Sequence, residues 1–212
     1  MALKNDREYR SFDLVLNKRA EGENEDYIVE GYASTFDEYT LYDFGDEKWN
    51  ERILPDAFDK ADMTDVVFLL DHTGRVYART KNGTVKLSVD DHGLYQKTDL
   101  SKTTSSRGVY EDIEAGNYSQ MSFAFTVMDS HFEERMEDGK RVITRVIEKM
   151  KKLYDISAVG FPANPNTDIG VATRSAFDGA IEQLQAERLE RERAMQSEAR
   201  ARLALKFKLM EE

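Results

Sequence analysis

The 212-residue chain contains no cysteine, only three prolines and only three histidines. Without cysteine, a disulfide framework, a thiolate zinc site and a cysteine nucleophile are all excluded. No apolar run approaches the ~18 residues that a membrane-spanning helix needs. The amino end also lacks the apolar stretch of a signal peptide. These absences predict a soluble, intracellular protein with no membrane partner.

Basic residues are too few to balance the acidic ones, and the formal net charge is −11. From Arg174 onward there are eight basic and eight acidic residues, so residues 1–173 carry the whole excess. Binding to nucleic acid depends largely on neutralising phosphates with lysine and arginine. We therefore expect no nucleic-acid partner.

Residues 1–173 show the pattern of one mostly β domain of the α+β class. The run YIVEGYASTF is typical of a strand that bends or bulges at its glycine. Turn residues at Asn82-Gly83, Asp90 to Gly93 and Asp138-Gly139 predict hairpins. Six or more strands favour a closed or nearly closed antiparallel barrel, because closure removes exposed edges. We interpret DEYTLYDFGDEKWNERIL as a long surface loop.

A few helices are expected around these strands. Pro55 and Asp56 start a short one. A second is predicted between Thr103 and Asn117, with Ser105 or Ser106 as its cap and Gly116 as its terminator. Residues 174–212 are rich in good helix formers and predict a long, charged C-terminal helix, a docking element rather than core.

Three apolar runs each contain one residue suited to acyl transfer: VVFLLDHT with His72, QMSFAFTV with Ser122 and LYDISAVGFPANP with Asp155. Polar groups in such runs are costly to bury, which suggests one shared site. Alternation along the serine strand places bulky side chains on one face and small ones on the other. The bulky face has Met121, Phe123, Phe125 and Val127, and the second face has Ser122, Ala124 and Thr126. A substrate backbone could approach the second face.

His72 is the best candidate base. It ends a strand-like run and would lie on the same strand face as Phe68 and Leu70. A neutral imidazole there can accept the serine proton. Alternation places Asp155 on the same strand face as Leu153 and Ser157, and its carboxylate can orient the imidazole. An equally open reading pairs Asp155 with a nearby lysine: Lys149, Lys151 or Lys152.

Six segments in series resemble the tailed-bacteriophage prohead proteases over about residues 10 to 172: GYASTF, ERILPDAF, FLLDH, DHGLY, QMSFAF and LYDISAVGFPANP. The resemblance implies a fold similar to that of the herpesvirus capsid proteases, an antiparallel β-barrel wrapped by helices. It also implies a serine protease with Ser122 as nucleophile and His72 as base, and it matches Asp155 to an acidic position. The chain departs from the family in having Ala124 for the usual glycine and Asp155 for the common glutamate. His131 is a lower-ranked candidate for the third catalytic residue, since herpesvirus enzymes use a second histidine there.

The resemblance implies that the enzyme acts in the host cytoplasm, inside the immature capsid. Its substrates would be the scaffold or the major capsid protein and the protease itself, with self-association as a homodimer. Residues 174–212 would then be a docking element or a segment removed by self-cleavage. Backbone amides, or Arg75 or Arg107, are expected to stabilise the oxyanion. No cofactor and no metal are expected.

Two other classes compete with the protease. The first is a non-enzymatic capsid-assembly or scaffold adaptor that uses the same fold. The second is a metal hydrolase built on Asp71, His72 and nearby acidic residues, which is weaker because paired histidines at ligand spacing are missing.

Overall fold

Strands make up most of the described chain, as the alternating sequence predicts. The structure is a computed structural model that describes residues 7–13 and 27–160, together with positions 189, 193–197 and 200. The strands are β1 Glu8–Asp13, β2 Ile28–Thr35, β3 Tyr39–Asp43, β4 Glu47–Ile53, β5 Val67–Leu70, β6 Thr73–Arg79, β7 Val85–Val89, β8 Gly93–Asp99, β9 Gln120–Glu137 and β10 Lys140–Val159. Up to residue 160, the described elements also include one α-helix, α1 Thr104–Glu114, and two 3₁₀ turns, Pro55–Phe58 and Thr80–Asn82.

These strands form two sheets instead of the predicted barrel. The larger sheet has the order β1-β9-β10-β4-β3, and β5 and β6 extend it from the far end of β10. The smaller sheet has the order β2-β8-β7. No closed barrel occurs among the described strands. Alternating inward-facing residues suit a barrel and a pair of packed sheets equally well, so the sequence pattern could not distinguish them.

The hydrophobic core takes side chains from both sheets and from α1. Its large, fully buried members include Phe58, Phe68, Leu94, Ile113, Phe123, Phe125, Leu153 and Ile156. The bulky face predicted for β9 is therefore the core face, and the small-residue face points away from it.

The chain divides into two compact units, residues 1–173 and 174–212. In the second unit, the described positions 189, 193–197 and 200 are helical and exposed. The rest of the expected C-terminal helix lies outside the described residues, so its extent and its docking role stay predictions. No helix in the described part of the chain is long and apolar enough to cross a bilayer.

The predicted surface loop after residue 36 is wrong, because it forms β3 and β4. Trp49, Glu51 and Ile53 of β4 are buried. A glutamate inside a strand looks like a surface residue in sequence, but Arg10 neutralises this one from a position 41 residues away. The burial of β4 therefore depends on a partner that local sequence does not reveal.

The turn predictions have mixed outcomes. Asp90 to Gly93 joins β7 to β8, and Asp138-Gly139 joins β9 to β10, as expected. Asn82-Gly83 is not a hairpin turn, because Gly83 ends a 3₁₀ turn and connects β6 of one sheet to β7 of the other. A positive φ at Gly83 serves both kinds of turn, so the residue pair alone was ambiguous.

Helix α1 confirms the predicted helix and corrects its cap. Thr103 is the N-cap, and its Oγ1 accepts a 3.0 Å hydrogen bond from the amide of Ser106. Val109 and Ile113 are buried on the inner face, and Gly116 follows the helix with a φ of 84°. The predicted cap residues, Ser105 and Ser106, instead lie in the first helical turn.

A buried cluster of charges links β1, at the edge of the larger sheet, to β4 and β10. Arg10 donates to both carboxylate oxygens of Glu51, at 2.5 and 2.7 Å. Glu8 accepts from Arg10 at 2.8 Å and from Arg145 at 2.6 Å. Tyr39 Oη donates to Glu51 at 2.5 Å. Because buried charges are tolerated only when paired, these contacts determine where β1 lies.

Replacement of Glu51 by glutamine is expected to lower the free energy of unfolding by about 3–5 kcal/mol, because it leaves buried arginine charge without its partner. The measurement is urea unfolding of both proteins. Glu133→Gln is the matched control: Glu133 is half exposed and pairs with Arg52, so its loss should cost less than about 1 kcal/mol. Equal losses in the two variants would contradict a stabilising role for the buried cluster.

The same cluster predicts sensitivity to acid. Burial alone would raise the pKa of Glu51, but the charges of Arg10 and Arg145 and the hydrogen bonds to Arg10 and Tyr39 outweigh burial and lower it. The stability from Glu51 is therefore complete above the pKa of an unfolded glutamate, about 4.3. It is lost as the pH falls through the lower pKa of the folded state.

Candidate active site

Ser122 lies on β9 in the interior of the larger sheet. It is directly opposite Ser11 of β1 on one side and Ser157 of β10 on the other. Its neighbours Phe123 and Phe125 point into the core, so the serine side chain is on the opposite face. The predicted alternation of β9 thus presents Ser122 away from the aromatic core.

His72 reaches the same face from a tight turn. β5 ends at Leu70, β6 begins at Thr73, and the two are paired across the two-residue turn Asp71-His72. Both turn residues have a positive φ, 46° and 57°, as a type I′ turn requires. The prediction that His72 shares a strand face with Leu70 does not apply, because His72 lies in the turn and not in the strand.

The backbone of this turn is strained, because non-glycine residues in the left-handed region cost on the order of 1 kcal/mol or more each. The amide of Asp71 donates to the carbonyl of Ala158, and its carboxylate accepts from the amide of Gly160. These contacts hold the turn against the end of β10. Such strain at a polar residue is typical of functional sites.

Asp155 owes its orientation to a β-bulge. Leu153 is opposite Phe125 and Asp155 is opposite Ala124, so β10 has one extra residue, Tyr154, at this point. Leu153 is a core residue, and the predicted shared face of Leu153 and Asp155 is therefore wrong. The bulge turns Asp155 to the face of Ser122, as bulges do when they re-aim a side chain.

The three predicted site residues meet in one hydrogen-bonded series. His72 Nε2 lies 2.6 Å from Ser122 Oγ, and His72 Nδ1 lies 2.5 Å from Asp155 Oδ1. Asp155 is 3% exposed and Ser122 is 0% exposed. With the imidazole neutral, Nδ1–H donates to the carboxylate and Nε2 accepts from the serine hydroxyl. This arrangement can move a proton from Ser122 to His72.

Ser157 and Tyr9 also contact this series, and sequence reasoning assigned no role to either. Ser157 Oγ donates to Asp155 Oδ1 at 2.8 Å and lies 3.2 Å from His72 Nδ1. The Tyr9 ring packs edge-on against the imidazole, with centroids 4.6 Å apart. The spacing Asp-x-Ser on one strand signalled the first contact, whereas nothing local signalled the second.

Ala124 lies on β9 between two residues that contact His72. It is opposite Tyr9 on β1 and opposite Asp155 on β10, and both of those residues contact His72. A small side chain at this position leaves room for the imidazole. The departure from the usual glycine therefore adds only one methyl group beside the histidine.

The alternative partners and replacements for Asp155 lie elsewhere. Lys149 pairs with Asp129, Lys152 pairs with Asp62, and Lys151 is exposed. His131 is nine residues from Ser122 on β9, a separation of roughly 30 Å along an extended strand, and it contacts Glu148 at 2.9 Å. The described part of the chain has no group of three or more potential ligand residues arranged for a metal.

Comparison with known proteins gives one family and one solved structure. The sequence profile of a family described as Caudovirus prohead serine protease matches residues 13–180. The chain is also similar to a solved structure of the bacteriophage T4 capsid assembly protease, gp21, with a TM-score of 0.36 and 14% identity over 74% of this chain and 100% of that one. No curated protein sequence matches significantly. The family match includes His72, Ser122 and Asp155, while Tyr9 and Ser11 precede it.

Proposed function

The chain belongs to the Caudovirus prohead serine protease family, and on this premise we propose that it is a serine endopeptidase with Ser122, His72 and Asp155 as its catalytic triad. The observation that carries the proposal is the continuous series Ser122 Oγ, His72 Nε2, His72 Nδ1 and Asp155 Oδ1, with separations of 2.6 and 2.5 Å. A serine hydroxyl is a weak nucleophile unless a base removes its proton. The series supplies that base and a carboxylate to orient it.

In the proposed reaction, Ser122 Oγ forms a bond to the carbonyl carbon of the substrate while its proton passes to His72 Nε2. Asp155 accepts from Nδ1–H throughout and stabilises the imidazolium. The C–N bond then breaks, and Nε2 returns the proton to the leaving amine. Water, deprotonated by the same nitrogen, attacks the acyl-enzyme and restores Ser122. Ser157 holds Asp155 through their 2.8 Å hydrogen bond.

The proposed substrates are scaffold or major capsid-protein segments inside the immature capsid, and the protease itself. The family description motivates this choice. Residues 174–212 would act as the element that docks the enzyme in the prohead, or as a segment removed by self-cleavage. Homodimer formation belongs to the same proposal.

Ser122 has no exposed surface in this state, so a substrate reaches it only after neighbouring side chains move. Tyr9 is one such neighbour, since its ring lies against His72. The proposed mechanism therefore requires Tyr9 or another neighbour to move when substrate binds.

A fluorophosphonate probe tests for the activated serine. We expect the native protein to form a Ser122 Oγ–phosphorus bond with loss of fluoride, mapped by peptide mass spectrometry. Labelling should slow in acid, because a protonated imidazole cannot accept the serine proton. Ser130 on the same strand is the internal control. Its hydroxyl accepts from Arg145 Nε, so no histidine activates it and it should stay unlabelled. A folded protein that takes no label and leaves coexpressed capsid and scaffold proteins whole would favour the adaptor function.

A further inference from the structure

Ser11 has a buried hydroxyl group without a hydrogen-bond partner, and it is next to Ser122. The two residues are directly opposite each other in the ladder of β1 and β9. Opposite residues in such a ladder have Cβ atoms about 4.5–5.5 Å apart. Ser11 Oγ is buried and makes no hydrogen bond, although an unsatisfied buried hydroxyl costs about 1–3 kcal/mol. An uncompensated cost beside a nucleophile calls for a functional explanation.

The orientation of Ser11 follows from its neighbours on β1. Tyr9, two residues earlier, contacts His72, while Arg10 between them turns to Glu51 and to the face of the Phe125 ring. Side chains two apart on a strand share a face. Ser11 therefore points to the same face as Tyr9, His72 and the Ser122 hydroxyl.

The strand of the nucleophile has no free backbone donor for an oxyanion at this point. β9 is paired with β1 and with β10 at Ser122 itself and at Phe123 and Ala124. The amides of these residues are directed along the sheet toward paired strands. Arg107, one of the arginines considered from the sequence, donates to the carbonyl of Ser101 and to Thr104. A side-chain donor on the face of Ser122 fits this geometry better than an amide of β9.

We propose that Ser11 Oγ–H is an oxyanion donor of this enzyme, an inference that rests on the proposed function. When Ser122 Oγ bonds to the substrate carbonyl carbon, the carbonyl oxygen gains negative charge. Ser11 then donates a hydrogen bond to that oxygen, and no proton is transferred. In the substrate-free state this hydroxyl is kept unpaired, so that its hydrogen bond forms only as charge develops.

The test compares kcat, KM and thermal unfolding of wild type, Ser11→Ala and Ser11→Thr on a peptide spanning a junction mapped by coexpression. Removal of one oxyanion donor is expected to lower kcat by about 10²–10³-fold, with little change in KM. Because Ser11 makes no hydrogen bond in the free protein, Ser11→Ala should unfold at the same temperature as wild type or a higher one. Ser11→Thr keeps a hydroxyl and should recover much of kcat.

Thr98→Val is the matched control. Thr98 also carries a buried hydroxyl, but it lies on β8 of the smaller sheet and donates to Gln96. This variant should keep the kcat of wild type. Ser11→Ala with wild-type kcat, or a loss of kcat matched by a lower unfolding temperature, would overturn the role of Ser11. A wild-type protein that cleaves nothing would instead remove the proposed function itself.

Discussion

Replacement of Ser122 by alanine is expected to leave coexpressed capsid and scaffold proteins whole, with kcat reduced by about 10⁶-fold. The reason is that Ser122 supplies the only oxygen bonded to His72 Nε2 in the described site. Intact-mass analysis of wild type and variant, each alone and with its candidate partner, measures the effect and maps the junctions. Fragments of the protease itself would reveal self-cleavage.

Ser130→Ala controls for the loss of a serine on the same strand. Ser130 Oγ contacts Arg145 and is eight residues beyond Ser122. We expect this variant to give the wild-type fragments. If Ser122→Ala also gave them, the nucleophile would have to be another residue.

Asp155→Asn is expected to lower kcat by about 10⁴-fold while the fold is retained. Asn is nearly the same size, but its amide can donate to His72 Nδ1 and so favour the tautomer with the proton on Nε2. Nε2 then cannot accept from Ser122. Ser157 donates to the same oxygen, Oδ1, so its hydroxyl must turn away when the NH₂ group takes that position. Steady-state kinetics on a junction peptide, with circular dichroism as a check on folding, makes the measurement.

Two further variants separate Asp155 from its alternatives. Asp129→Asn makes the same chemical change at an exposed carboxylate that pairs with Lys149, and it should have no effect on kcat. His131→Gln tests the second histidine, which contacts Glu148 and not His72. A large loss of activity in His131→Gln, together with a small one in Asp155→Asn, would reverse the assignment of the third residue.

Most of the β-strands and the helix near residue 109 were predictable because they depend on local patterns. The alternation in QMSFAFTV distinguishes the core face, with Phe123 and Phe125, from the face of Ser122. The Asp138-Gly139 pair predicts the hairpin of β9 and β10. Both signals operate within a few residues, through side-chain period and turn stereochemistry.

The barrel and the surface loop were wrong for a common reason: each required knowledge of which distant strands pair. Glu51 is buried because Arg10, Tyr39 and Arg145 pair with it there, and the two-sheet arrangement follows from pairings that alternation does not encode. The prediction that Leu153 and Asp155 share a strand face was wrong because β10 has one extra residue, Tyr154, between them. A one-residue bulge leaves no clear mark in an apolar run, yet it reverses every side chain that follows.

The sequence by itself determined the chemical groups available to this protein: a serine within one apolar run, a histidine at the end of a second run and an aspartate within a third. It also excluded cysteine chemistry and indicated the family. Only the tertiary structure decided that His72 reaches Ser122 across 50 residues and Asp155 across 83, and that Tyr9 and Ser11 border the same site. Local periodicity specifies which face a side chain takes. The hydrogen bonds of His72 to Asp155 and Ser122, at 2.5 and 2.6 Å, depend instead on register, bulges and turns that the whole fold establishes together.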